Sequence, residues 1–208
     1  MPLVLPKVYP LTDVGLSGLT HAEQVRRLAK GGASLIQLRD KKSGACVFYE
    51  SAKAAVTAAR ECGVKLIIND RADIAAAVGA DGVHLGQDDL PVEAARGLLG
   101  PQAIIGLSTH NLSQAQLAIR LPIDYLALGP IFATSTKDDP APELGLEGFR
   151  QIRKVVGEFP LVAIGGITAN RALDVLQAGA NSIAIIGALL KNPDEITSQT
   201  SHLLQLLS

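Results

Sequence analysis

Gly82-Val83-His84-Leu85-Gly86-Gln87-Asp88-Asp89-Leu90-Pro91 is the stretch whose reading decides the fold. A short apolar run ends in clustered polar side chains, and a proline suited to a first helical turn follows at once. That is a strand handing over to a helix, with chemistry at the junction. The arrangement recurs along the chain. Gln37-Leu38-Arg39-Asp40-Lys41, Asn69-Asp70-Arg71, Ser108-Thr109-His110 and Thr134-Ser135-Thr136-Lys137 each lie at the end of an apolar run. Short runs rich in Val, Ile and Leu read as parallel strands buried on both faces. Polar chemistry at successive strand ends is where a (β/α)8 barrel keeps its active site.

Apolar runs alternate with amphipathic or alanine-rich segments at a spacing of roughly 20–25 residues, as repeated βα units require. The pattern predicts strands at 8–12, 35–39, 66–69, 82–85, 104–107, 125–128, 161–164 and 182–186. Helices are expected at 20–31, 45–61, 70–78, 91–99, 111–120, 146–157, 168–178 and 194–207. Thr20 with Glu23 makes a capping box, and glycines close several helices. The expectation is an α/β chain forming one TIM-barrel domain over residues 1–208, close to the lower limit of about 200 residues for that fold. An open doubly wound sheet is the alternative, and eight strands favour closure. The long, polar, proline-rich loop at 133–147 is expected to be an active-site lid.

With 48% hydrophobic and 19% charged residues the chain is globular. A net charge of −1 argues against a broad basic surface, so no nucleic-acid partner is expected. No apolar stretch is long enough to span a membrane, and the proline-broken start does not read as a signal peptide. Cys46 and Cys62 fall in one expected helix, about 24 Å apart at ~1.5 Å per residue, too far for a disulfide. They are expected to be buried or inert, in a protein of the reducing cytoplasm.

Gln37, Arg39 and Lys41 alternate, so an extended chain puts them on one face. Arg39 and Lys41 suit a polyanion, and Gln37 can read a heterocycle's donors and acceptors. A solvated loop is the plainer alternative. Asp70 and Asp89 close neighbouring strands and can face each other, which suggests Mg2+, an ion content with one or two carboxylates plus water and phosphate. Helix capping would explain each of them separately. Thr134, Thr136 and Lys137 offer two hydroxyls and a cation. Gly165-Gly166 and Ile186-Gly187 follow strands 7 and 8, the usual phosphate position of barrel enzymes. His84 is expected to be a satisfied interior residue, His110 an outside candidate for substrate contact, and His21 and His202 helix-surface residues.

Read in order, these segments resemble the thiamine phosphate synthase family. The matching stretches are 37–41, Ile68-Asn69-Asp70-Arg71, 82–91, Ile105-Gly106-Leu107-Ser108-Thr109-His110, 129–137 and Ala163-Ile164-Gly165-Gly166-Ile167. The resemblance implies a transferase that joins 4-amino-2-methyl-5-hydroxymethylpyrimidine diphosphate to a thiazole phosphate or its carboxylate, releasing pyrophosphate. It implies Mg2+ on Asp70 and Asp89. Gln37, Arg39, Lys41, Asn69, Ser108 and Lys137 would bind the pyrimidine diphosphate. Thr134, Thr136, Gly166, Ile186 and Gly187 would bind the thiazole phosphate. Arg39, Lys41, Ser108 and Lys137 form the implied catalytic set. One departure stands out, because the family commonly has serine where this chain has Gly187. A related thiazole tautomerase and a non-catalytic phosphate-ligand-binding regulator are the alternatives. The oligomeric state stays open, a homo-oligomer included.

Overall fold

The apolar runs become strands because each is covered twice, by helices outside and by the barrel interior within. In this computed structural model, which describes residues 3–134 and 142–208, the chain alternates strand and helix throughout. β1 (Val8–Thr12), α1 (Val14–Ser17), α2 (His21–Lys30) and β2 (Leu35–Leu38) come first. They are followed by α3 (Ala45–Cys62), β3 (Lys65–Asn69), α4 (Ala72–Val78), β4 (Gly82–Leu85) and α5 (Val92–Leu99). Next are β5 (Ile104–Thr109), α6 (Leu112–Ala118), β6 (Tyr125–Leu128), α7 (Gly145–Val156) and β7 (Leu161–Ile164). The chain ends with α8 (Ala169–Gln177), β8 (Ser182–Ile185), α9 (Gly187–Leu190), a 3-10 turn at Pro193–Glu195, and α10 (Ile196–Leu206).

Neighbouring strands pair in parallel in chain order, and β1 pairs with β8 through Val8 and Ile183, so the sheet is a closed barrel. That closure excludes the open-sheet alternative. The core has two layers. Ile36, Leu66, Ile68, Val83, Ile105 and their like face outward onto the helices. Tyr9, Leu11, Leu35, Ile67, Tyr125, Val162 and Ala184 fill the interior. Alternation along β2 therefore sends Leu35 and Gln37 into the barrel and Ile36 and Leu38 against the helices.

The structure corrects several expectations. β5 continues through Ser108 and Thr109, two residues past the expected end at 107. The fourth helix starts at Ala72 and not at residue 70, since Asp70 sits in the left-handed region at φ 64. The one-turn helices α1 and α9 were not anticipated. In the predicted capping box Thr20 accepts from the Glu23 N–H at 3.2 Å, but the Glu23 carboxylate turns to Arg27 at 2.7 Å. Cys46 and Cys62 share α3 as expected, yet both are exposed. His21 is not on the surface: it is 1% exposed and meets Thr12 Oγ1 at 2.7 Å. Among the described residues no helix is long and apolar enough to cross a membrane.

Candidate active site at the strand ends

The C-terminal ends of β2, β3 and β4 bring the first cluster together. Lys41 Nζ lies 2.5 Å from Asp70 Oδ2. Asp70 is carried there by a strained turn: its N–H donates to the His84 carbonyl at 2.7 Å while its φ is 64°. A non-glycine residue held in this region costs free energy and persists where the surroundings impose it. Asp89 follows β4 and accepts from the Gly86 N–H at 2.6 Å. Neither carboxylate caps a helix, because Arg71 and Pro91 hold the N-cap positions of α4 and α5.

Burial holds the Asp89 carboxyl above the usual carboxylate range. The facing Asp70 charge adds to this, and the Gly86 N–H opposes it. Two crowded carboxylates with a lysine on one of them are a donor set that suits a hard cation. Among the described residues no group of three or more His, Cys, Asp or Glu side chains gathers into a metal cage. Two carboxylates plus open positions fit Mg2+, which keeps water and substrate oxygens in its octahedron.

Arg39 is not a solvated loop residue, since its guanidinium pairs with Asp13 at 3.2 Å. The loop that carries it is braced from below. Asp40 accepts from the Lys42 and Ser43 N–H groups, each at 3.0 Å, and lies 3.8 Å from His21 Nε2. Burial pushes the Asp40 carboxyl up, but these hydrogen bonds overrule it and leave it below the ordinary range. Burial also lowers the His21 imidazole, against the attraction of Asp40 and Asp13.

Asn69 ends β3, 7% exposed, with its side-chain nitrogen unpartnered. An orphaned buried donor at a strand end is a place for a ligand acceptor. Further inside, Gln37 Nε2 donates to Tyr9 Oη at 3.1 Å, and Tyr9 Oη meets Tyr125 Oη at 3.0 Å. His84 Nδ1 meets Tyr125 Oη at 2.9 Å and His84 Nε2 meets Ser108 Oγ at 2.9 Å. His84 is thus the satisfied interior histidine that was expected. Burial raises both tyrosines, so they remain phenols at neutral pH. His110 Nδ1 is engaged by the Gly129 carbonyl at 2.6 Å and is not spare for substrate.

The second cluster lies at β6, β7 and β8. The loop after β6 is stitched to the end of β7: the Ile131 N–H donates to Ile164 O at 2.9 Å and the Phe132 N–H to Gly165 O at 3.1 Å. Gly166 has φ 62, and a Cβ there would stand 2.3 Å from the Ala133 carbonyl oxygen. Only glycine allows this approach. Thr134 is half-buried beside it. Ile186 and Gly187 open α9 after β8, where first-turn N–H groups lack helical partners. Thr136, Lys137 and most of the expected lid lie outside the described residues. The far end of that loop is anchored, with the Leu144 and Gly145 N–H groups donating to Pro130 O and Ile131 O at 2.9 and 3.0 Å.

With this geometry in hand, comparison with known proteins is decisive. The family model described as Thiamine monophosphate synthase matches residues 8–189. The chain belongs to that family. A Thiamine-phosphate synthase of Chloroflexus aurantiacus is 46% identical over 203 residues, covering 97% of this chain and 93% of the relative. One from Koribacter versatilis is 43% identical over 212 residues, covering 99% and 97%. A solved thiamine phosphate pyrophosphorylase from Pyrococcus furiosus superposes with a TM-score of 0.86 at 37% identity, covering 97% of this chain and 95% of that one. In this family member the two clusters lie at strand C-terminal ends, at β2–β5 and at β6–β8. Tyr9 and Tyr125 were not singled out from the sequence. Tyrosines at interior positions of otherwise aliphatic strands were the available signal.

Proposed function

We propose that the chain is a transferase that condenses 4-amino-2-methyl-5-hydroxymethylpyrimidine diphosphate with thiazole phosphate, or its carboxylate, to give thiamine phosphate and pyrophosphate, with CO2 lost when the carboxylate is used. The observation that carries this reading is the row Lys41–Asp70–Asp89 at adjacent strand ends, in a chain whose relatives bear that activity in their names. In this reading Asp70 and Asp89 hold Mg2+, and Arg39 and Lys41 flank the diphosphate. An ion held there would help neutralise the charge of the leaving pyrophosphate. Asn69 offers its unpartnered amide to the pyrimidine diphosphate, and Gln37 and Ser108 take its polar edges. Lys137 would complete the cationic set and Thr136 the thiazole site.

The chemistry needs no protein nucleophile. The C–O bond to pyrophosphate breaks, the aminopyrimidine delocalises the methylene cation, and the thiazole nitrogen then forms the new C–N bond. The protein supplies oriented charge and juxtaposition, which can be worth ~7–11 kcal/mol of barrier. Thr134, Gly166, Ile186 and Gly187 would hold the thiazole phosphate at the second cluster. Two exposed, unpaired cysteines suit a reducing, cytoplasmic setting. The two alternatives raised by the sequence, a tautomerase and a regulator, draw no support from the comparisons.

The test is pyrophosphate release from the pyrimidine diphosphate plus thiazole phosphate, with Mg2+ and with EDTA. Metal-dependent release with thiamine phosphate formed supports the reading. A folded protein that binds thiazole phosphate yet releases nothing refutes it.

A further inference from the structure

We propose that Gln37, Tyr9, Tyr125, His84 and Ser108 form one directional hydrogen-bond relay that presents Ser108 as a donor and Gln37 as an acceptor toward the pyrimidine diphosphate, with Tyr125 and His84 as positioning residues. The proposal rests on the synthase reading above for the identity of that substrate. The relay's direction follows from the Gln37 amide, whose Nε2 faces Tyr9 Oη.

Four contacts of 2.9–3.1 Å link five side chains end to end. Each contact holds one proton, and a buried hydroxyl left without an acceptor costs about 1–3 kcal/mol. Gln37 decides the rest. Its Nε2 can only donate, so Tyr9 accepts from it. The Tyr9 proton then goes to Tyr125, and the Tyr125 proton goes to His84 Nδ1. His84 must accept there, so in the neutral ring its proton is on Nε2, which donates to Ser108 Oγ. The Ser108 hydroxyl is left with its own proton to give away, and Gln37 with its carbonyl oxygen to offer. Turning the Gln37 amide over reverses every link at once. Mixed arrangements strand a proton on a buried tyrosine.

The forward direction is the one the reaction needs. Ionisation draws electrons from the exocyclic amine toward the methylene carbon and places negative charge on pyrophosphate. An acceptor on the amine N–H supports the first change, and a donor toward the diphosphate supports the second. The relay fixes both polarities together. Gly106 makes the room for it, because a Cβ there would fall 2.1 Å from Tyr125 Cζ. The Gln87 amide donates to the Ser108 carbonyl at 2.6 Å and steadies the strand end.

Two measurements test this. In wild-type protein with 15N-labelled histidine, imidazole NMR should show His84 protonated on Nε2 and bare on Nδ1, the signal being assigned by its loss in His84→Gln. A proton on Nδ1 would overturn the relay's direction. In steady-state kinetics, Tyr125→Phe should lower kcat about tenfold or more with the thiazole phosphate KM unchanged. In a Ser108→Ala background the same change should cost clearly less than in wild type, since only the Gln37 end of the relay is left to lose. An equal cost in both backgrounds would make Tyr125 a structural residue only and overturn the proposal. His84→Gln, which can still accept and donate, should retain more kcat than His84→Leu, and this pair decides the matter if Tyr125→Phe does not fold. Wild-type protein with the Nε2–H tautomer but no pyrophosphate release would remove the synthase reading and leave the relay's direction standing. Release with the Nδ1–H tautomer would do the reverse.

Discussion

Replacing Gly187 by serine should tighten thiazole phosphate binding without touching the chemical step. The space is there: a Cβ at Gly187 would meet only Lys191 Cε, at 3.5 Å, an ordinary van der Waals contact. Gly187 is the first residue of α9 and has no positive φ, so a side chain brings no backbone strain. The added hydroxyl lies beside the first-turn N–H groups, where the resemblance puts the family's serine. A hydrogen bond to a charged group contributes about 1.5–3 kcal/mol. The position is half-buried, so the lower figure applies. About 1.4 kcal/mol is tenfold in affinity. The thiazole phosphate KM should fall about tenfold, with kcat and the pyrimidine diphosphate KM unchanged, since a contact made equally in ground and transition state shifts KM alone. Steady-state kinetics with each substrate varied in turn reads all three constants. An unchanged thiazole phosphate KM would show that the phosphate does not lie over the start of α9.

Asp89→Ala should remove Mg2+-dependent turnover while circular dichroism and melting stay close to wild type, and an active variant would end the metal assignment. Asp70→Asn should melt close to wild type, because asparagine tolerates the left-handed turn and removal of the charge facing Asp89 offsets loss of the half-exposed Lys41 pair, yet it should lose nearly all activity; a large fall in melting temperature would contradict the strain argument. Gly166→Ala should raise the thiazole phosphate KM and lower stability, since the new methyl runs into the Ala133 carbonyl at 2.3 Å, and unaltered kinetics would refute the cradle. His21 has its folded-state pKa lowered by burial, so the native state binds fewer protons than the unfolded one. The stability tied to it is complete above the unfolded value of about 6.5 and drains as pH falls below that, by at most about 1.4 kcal/mol per pH unit. Denaturant titrations between pH 8 and 5.5 should therefore show a shallower loss for His21→Gln, and parallel curves would show that His21 titrates alike in both states.

The barrel was legible because its strands are buried twice and announce themselves as unbroken apolar runs, each closed by polar residues. What escaped was local or long-range in a specific way. α1 and α9 are single turns, too short to display a 3.6-residue period. His21 opens α2 and looks like a surface residue until Thr12, at the end of β1, folds over to meet it. Cys62 lies three residues beyond buried Ala59, but as the last residue of α3 it is exposed. Asp70 and Asp89 could be paired from the sequence because adjacent strands in a barrel are adjacent in space. Tyr9 and Tyr125 could not, since 116 residues separate two hydroxyls that meet across the interior.

Three costs gather at the C-terminal end of the strands, apart from the unpartnered His21 Nε2 and Ser182 Oγ found elsewhere. Asn69 keeps a buried amide nitrogen without a partner, Asp70 holds a left-handed turn as a non-glycine residue, and Asp89 faces a second carboxylate with its own charge disfavoured by burial. Each is a group that folding alone would replace, with an apolar side chain at 69, a glycine at 70 and a neutral residue at 89. Each is also relieved by the same event, arrival of a cation and a polyanion with a polar heterocycle attached. The interior beneath shows the opposite logic: its polar side chains from Gln37 to Ser108 are bonded in sequence, with glycine at 106 clearing the space for Tyr125. Three broken local rules at adjacent strand ends of one barrel are what a ligand-meeting face is expected to show. Substrate and metal should therefore raise the melting temperature more in wild type than in Asp70→Asn, because only wild type has crowded charge for them to relieve.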